Sequence, residues 1–115
     1  MTKQSSGETT IAAQATAQGS GAIAIVRLSG PASLDIVRRI FRPASGNTDK
    51  FVPWKLRHGR VLDADGEPLD DVLCVFMPAP HTYTGEDCAE IQCHGGQAVV
   101  NQILSSCIAA GAEPA

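Results

Sequence analysis

Glu90 and Gln92 stand two apart in Cys88-Ala89-Glu90-Ile91-Gln92-Cys93, and His94-Gly95-Gly96 follows directly. In an extended strand, successive side chains alternate between faces. Cys88, Glu90 and Gln92 therefore share one face, and Ala89, Ile91 and Cys93 share the other. The more apolar set suits a core. The carboxylate and amide suit a surface that binds through hydrogen bonds, since a carboxylate accepts paired N–H donors. Glycines at 95 and 96 permit close approach to the backbone, and a helix opening there offers free N–H groups to an anion. The plainer reading of the glycine pair is a tight turn.

A second charged residue interrupts the most apolar stretch, Ala22-Ile23-Ala24-Ile25-Val26-Arg27-Leu28. Strand periodicity places Arg27 on the face of Ile23 and Ile25. A guanidinium beside buried isoleucines needs a partner, because an unpaired buried charge is costly. Three readings stay open for Arg27: a strand end reaching solvent, a structural ion pair, or a ligand contact.

Other chemistries find little support. Cys88 and Cys93 are an odd number apart, so a regular strand sends them to opposite faces and away from a shared metal site with His94. Cys93 and His94 are sequence neighbours with no evident orienting group, which argues against an activated thiol. No catalytic residue and no metal ligand is assigned. Gly19-Ser20-Gly21 lacks the Gly-Lys-Ser/Thr ending of a phosphate loop, so GTP binding through such a loop is not expected. Asp63, Asp65 and Gly66 superficially resemble a calcium loop without its terminal glutamate, and read as a hairpin turn. The four cysteines contain no CxxC pair. Cys74 and Cys107 lie in apolar stretches, as reduced structural thiols do.

The elements that must position these residues follow from periodicity. Thr10–Ala15 reads as a first strand, 16–21 as a glycine-containing loop, and Ala22–Leu28 as a strand covered on both faces. A helix follows, with Gly30 as N-cap, Pro31 at its first position, and Leu34, Val37, Ile40 and Phe41 on one face. Arg38 and Arg39 suit its C-terminal end, and Pro43 closes it. After a loop over 43–50, Leu56–Leu62 and Asp71–Met77 form strands joined by the Asp65-Gly66 turn. Cys88–Cys93 is the last strand expected. Val99, Val100, Ile103, Leu104, Cys107 and Ile108 mark a final helix that Gly111 caps. The order predicts an α+β sandwich, a mixed β-sheet with two or three helices packed on it.

The bulk properties agree with one domain: 115 residues, 43% hydrophobic, net charge −3. That charge gives no general basic field, so the chain is not expected to grip RNA alone. Residues 1–9 are expected to be loose. The polar N-terminus does not read as a signal peptide, and the apolar runs fall far short of the roughly 20 residues of a membrane span. A soluble cytoplasmic protein without membrane contact is expected.

Four segments carry a resemblance to a known family: Thr10-Ile11-Ala12-Ala13-Gln14-Ala15-Thr16, Ile25-Val26-Arg27-Leu28-Ser29-Gly30, Phe76-Met77-Pro78-Ala79-Pro80 with Tyr83-Thr84-Gly85-Glu86-Asp87, and Glu90-Ile91-Gln92-Cys93-His94-Gly95-Gly96. Over about residues 8–115, with a domain expected at 10–115, the chain resembles the N-terminal domain of the bacterial tRNA uridine-5-carboxymethylaminomethyl modification GTPases, the MnmE or TrmE family. The resemblance implies a fold like the folate-binding part of aminomethyltransferases, and a constitutive homodimer. It implies binding of 5-formyl- or 5,10-methylene-tetrahydrofolate, with Arg27 and Glu90 at the folate-contacting positions. Full-length members also use GTP, magnesium and potassium, and work with an FAD-dependent partner, MnmG or GidA, on the wobble uridine of tRNA. On that reading tRNA is an indirect partner of this chain. The family continues past this chain's last residue with a further folate-site lysine, a helical domain and a G domain. Its first loop usually carries proline and arginine, where this chain has Thr16-Ala17-Gln18-Gly19-Ser20-Gly21. A dimerisation scaffold without folate binding is the alternative, and a free-standing folate-dependent transferase ranks behind both.

Overall fold

The computed structural model describes residues 9–15, 23–45, 51–82, 84–94 and 96–115. The expectations for residues 1–8, for the loop at 16–21, for Ala22, for 46–50, for Tyr83 and for Gly95 lie outside the described residues. In chain order the elements are β1 (Ile11–Gln14), β2 (Ile23–Ser29), α1 (Ser33–Ile40), β3 (Phe41–Pro43), β4 (Arg57–Leu62), β5 (Pro68–Met77), β6 (Cys88–His94), α2 (Gln97–Ala109) and β7 (Glu113–Pro114). The strands form one sheet in the order β3-β4-β5-β6-β2-β1-β7. Its pairings are antiparallel except for parallel β1–β7, so the mixed sheet of an α+β fold is present.

The core lies on one face of the sheet. Ala24, Val26 and Leu28 of β2, Ala89, Ile91 and Cys93 of β6, and Val72 and Cys74 of β5 pack there against Ile36, Val37 and Ile40 of α1 and Val100, Ile103 and Cys107 of α2. Each fully buried Leu, Ile or Val contributes about 1.5–3 kcal/mol. This layer therefore dominates the burial energy. On the other face the described cluster is small: Val75, Met77 and Cys88. No described element packs across that face.

The expectation that β2 is covered on both faces is therefore corrected. Ala24, Val26 and Leu28 are buried, whereas Ile23 is 57% exposed and Ile25 and Arg27 are half-buried. An apolar residue run does not report which face finds a partner.

Three boundaries and one short strand also differ from expectation. The first helix begins at Ser33 with Ala32 as its cap, not at Gly30 and Pro31. Gly30 has φ +139° and lies in a turn so close to β1 that a Cβ would meet the Thr10 backbone. Thr10 Oγ1, just before β1, accepts the Ala32 N–H at 2.7 Å and ties the turn ahead of α1 to the sheet, although α1 itself has no side-chain cap. Phe41 leaves the helix to begin β3 opposite Val61, since the residue before Pro43 is disfavoured in helical conformation and β4 offers pairing. Strand β5 starts at Pro68, a proline being tolerated as a first strand residue. Strand β7 is too short for periodicity to reveal. In α2, Ile108 falls off the buried stripe at 42% exposed.

The Asp63–Glu67 turn forms as expected, with Asp63 Oδ1 accepting the N–H groups of Asp65 and Glu67 and Gly66 at φ +84°.

Candidate functional site

Arg27 and Glu90 are direct cross-strand partners in the β2–β6 pairing. Both lie on the face away from the helices, as strand parity requires. Arg27 Nε and Nη2 both donate to Glu90 Oε2, at 3.0 and 2.7 Å. The side chains are 29% and 10% exposed. The pair is a charge-assisted bridge at the boundary of solvent, where such contacts are stronger than fully exposed ones. Of the readings open for Arg27, a strand end reaching solvent is set aside. The ion pair is present, and a ligand role is compatible with it.

The register supplies the surroundings. Ala13 lies beyond Arg27 on β1, and Val75 lies beyond Glu90 on β5. One rung along, Gln92 sits between Ile25 and Leu73. Together these residues set an acceptor and an amide into an apolar surface, which is the composition of small-molecule sites.

One rung in the other direction, sequence reasoning missed a polar cluster. Ser29 Oγ lies 2.7 Å from Thr84 Oγ1 and donates to Glu86 Oε1 at 3.1 Å. Thr82 Oγ1 donates to the Glu86 carbonyl at 2.6 Å, and the Gly30 N–H donates to the Asp87 carbonyl at 2.8 Å. These bonds pin the Thr84–Asp87 turn to the end of β2, beside the Arg27–Glu90 pair. One signal was legible: Ser29 shares a face with Arg27 by the period of two. The long-range partners were not legible.

At the opposite end of β6, His94 and Asp70 form a contact that sequence reasoning also missed. The His94 backbone N–H donates to Asp70 Oδ2 at 2.9 Å, and Nδ1 lies 2.9 Å from Oδ1. His94 is four residues beyond Glu90, roughly 13 Å along an extended strand. The glycine turn and the carboxylate therefore do not converge on one point.

The thiols behave as core groups. Cys93 donates to the Ala24 carbonyl on the helix side, while Cys88 lies on the opposite side with Val75 and Met77. The parity that separated them in sequence is thus realised. Burial pushes the Cys93 thiol up, with the Asp70 carboxylate adding to it. That is the wrong direction for a nucleophile. Among the described residues, no group of three or more His, Cys, Asp or Glu side chains is placed to hold a metal ion. No described helix is long and apolar enough to cross a membrane.

Residues 10–115 match the family model described as the GTP-binding protein TrmE N-terminus. The chain belongs to this family. It is 53% identical over 103 residues to the tRNA modification GTPase MnmE of Nitratidesulfovibrio vulgaris (strain DP4), covering 90% of this chain and 22% of that protein. The proteins of the same name from Roseiflexus sp. (strain RS-1) and Akkermansia muciniphila are 47% and 46% identical, over 92% and 94% of this chain and 23% and 24% of theirs. The chain thus spans under a quarter of the length of these relatives. The TrmE-type N-terminal domain is the unit that carries the Arg27–Glu90 pair and its uncovered sheet face.

Proposed function

We propose that this domain binds a reduced folate carrying a one-carbon unit, 5-formyl- or 5,10-methylene-tetrahydrofolate, on the uncovered face of its sheet. The observation that carries the reading is the Glu90 carboxylate. The residue is only 8% exposed, and one of its oxygens takes both Arg27 donors. Among the described residues the other, Oε1, has no hydrogen-bond partner. Since no buried side-chain oxygen among the described residues lacks a partner, this oxygen reaches solvent, and an accessible acceptor with spare capacity fits the amino and ring N–H groups of a pterin. Val75, Ile25 and Leu73 offer apolar contact to its ring. Arg27 holds the carboxylate in place and presents a planar guanidinium to the ligand.

In the whole protein the folate supplies the one-carbon unit for modification of the wobble uridine of tRNA, alongside an FAD-dependent partner protein. GTP, magnesium and potassium act elsewhere in that protein. The domain works as a cytoplasmic homodimer and carries no catalytic residue of its own.

Calorimetric titration of 5-formyltetrahydrofolate into the chain and into Glu90→Gln tests this. Losing a charge-assisted hydrogen bond, about 1.5–3 kcal/mol, predicts affinity reduced by at least tenfold. Equal affinity in the two proteins removes Glu90 from the site.

A second reading, a dimerisation scaffold that binds no folate, draws on the exposed apolar residues Ile11, Ile23 and Leu73 of the same face. A dimer by light scattering together with a flat folate titration favours it.

A further inference from the structure

The net charge of −3 averages over a separated distribution. Between Ile36 and Leu62 the sequence holds seven lysines and arginines against one aspartate, leaving two against eleven in the rest of the chain. The strands of this segment, β3 and β4, form one edge of the sheet, opposite the end where β1 and β7 lie. Arg42 and Arg60 are direct cross-strand partners on β3 and β4. Like charges facing each other across strands are destabilising. Arg42 reaches back to the carbonyls of Arg38 and Arg39, so the end of α1 adjoins the same edge. Arg38, Arg39, Arg42, Lys55 and Arg60 are all exposed. The carboxylate facing Arg60 is Asp71 at 3.5 Å, and both side chains are more than 60% exposed. Such a contact is screened and offsets little of the field. A concavity of about 400 Å³ lined by Arg42, His58, Gly59, Arg60 and Asp71 runs along this edge.

A second observation is independent of charge. Trp54, the chain's single tryptophan, is 54% exposed in this basic segment, next to Lys55. Its backbone sits at φ +66°, a left-handed conformation that costs a bulky residue on the order of 1 kcal/mol. A hydrogen bond from its N–H to the Phe76 carbonyl, 2.9 Å, holds it there. The fold gains little by burying so exposed an indole. An exposed indole next to Lys55, just ahead of the strand that carries Arg60, suits single-stranded nucleic acid, which binds through base stacking and phosphate contacts.

We propose that the β3–β4 edge is an RNA-docking surface, on which Arg38, Arg39, Arg42, Lys55 and Arg60 meet tRNA phosphates and Trp54 stacks on an unpaired base. The choice of RNA rests on the family's tRNA-modifying role and not on folate binding. The surface lies two strands or more from the Arg27–Glu90 pair, so the two sites are separable by mutation.

The test uses the whole chain and an unmodified tRNA transcript at about 50 mM salt, a range in which phosphate contacts are strong. Fluorescence of Trp54 and anisotropy of end-labelled tRNA are followed together. A saturable change in both is expected. Trp54→Leu should weaken binding by about tenfold or more, the usual scale of a lost stacking contact. Arg38→Gln and Arg60→Gln should each lower the slope of log affinity against log salt by about one. Glu113→Gln, at the opposite edge, should change neither. Circular dichroism confirms folding, and the two arginine variants keep the test decisive where Trp54→Leu unfolds. Absence of tRNA binding overturns the proposal. So does anisotropy change with unaltered Trp54 fluorescence, or equal fluorescence change with polyglutamate or phosphatidylglycerol vesicles. A parallel titration with 5-formyltetrahydrofolate separates this outcome from failure of the folate reading.

Discussion

Different variants separate the ion pair that Glu90 and Arg27 form from the ligand role proposed for them. As an ion pair on the edge of solvent they stabilise the β2–β6 junction. Removing one partner strands the other charge near apolar neighbours, a penalty of several kcal/mol when fully buried and less here because Arg27 is 29% exposed. Glu90→Ala should therefore lose about 1–2 kcal/mol in urea unfolding. The double variant Arg27→Met/Glu90→Met should regain most of that stability, since an apolar pair can replace a buried ion pair. It should still fail to bind folate. Recovery of both would reduce the pair to a packing feature.

The core thiols make a pH prediction at the same scale. Burial raises Cys74 and Cys107 from near 9 to about 12. A thiol whose folded pKa lies above its unfolded value contributes stability that is complete below the unfolded value. That stability is lost as pH climbs from about 9 toward 12, because the unfolded chain releases the proton first. Urea midpoints should therefore fall steeply over that window, by about 1.4 kcal/mol per pH unit for each thiol. Cys74→Val should remove about half of this dependence. That Glu90 faces away from the core was legible from parity. Its contact with Arg27 was not, because pairing register is set between distant segments.

Among the elements, β3 and β4 show a contact that residue type alone could not announce. A Cβ on Gly59 would overlap the Arg42 carbonyl and come within 2.7 Å of the Phe41 ring. Overpacking of this kind costs about 1–3 kcal/mol. Gly59→Ala should lower the thermal midpoint by several degrees, with the loss concentrated in hydrogen-exchange protection of β3 and β4. At the other side of the core, Thr10→Val removes the oxygen that accepts the Ala32 N–H ahead of α1. About 1 kcal/mol, the usual worth of one hydrogen bond, is the expected cost in chemical denaturation. The main strands and both helices could be read from periodicity. Their ends shifted where a distant group intervened: Thr10 for the start of α1, and β4 pairing for its end.

At the scale of the chain, helices cover one face of the sheet, and among the described residues no element packs across the other. Ile11, Ile23 and Leu73 remain exposed on the uncovered face. If a second copy covers it, light scattering should show a dimer, and Leu73→Glu should shift the population toward monomer without changing the circular dichroism spectrum. A dimer unaffected by that variant would place the interface elsewhere. The charge separation is also a property of this scale, since −3 overall conceals a basic edge at β3 and β4. By itself the sequence determined the α+β class, the family, the parity that parts Glu90 from Cys93, and the absence of a phosphate-loop motif. Each follows from local spacing and residue type. Tertiary structure alone decided that Arg27 meets Glu90, that Ser29 and Thr84 pin the turn beside them, and that β2 is covered on one face only among the described residues. Those facts depend on contacts between segments more than fifty residues apart, which chain topology sets and no local pattern encodes.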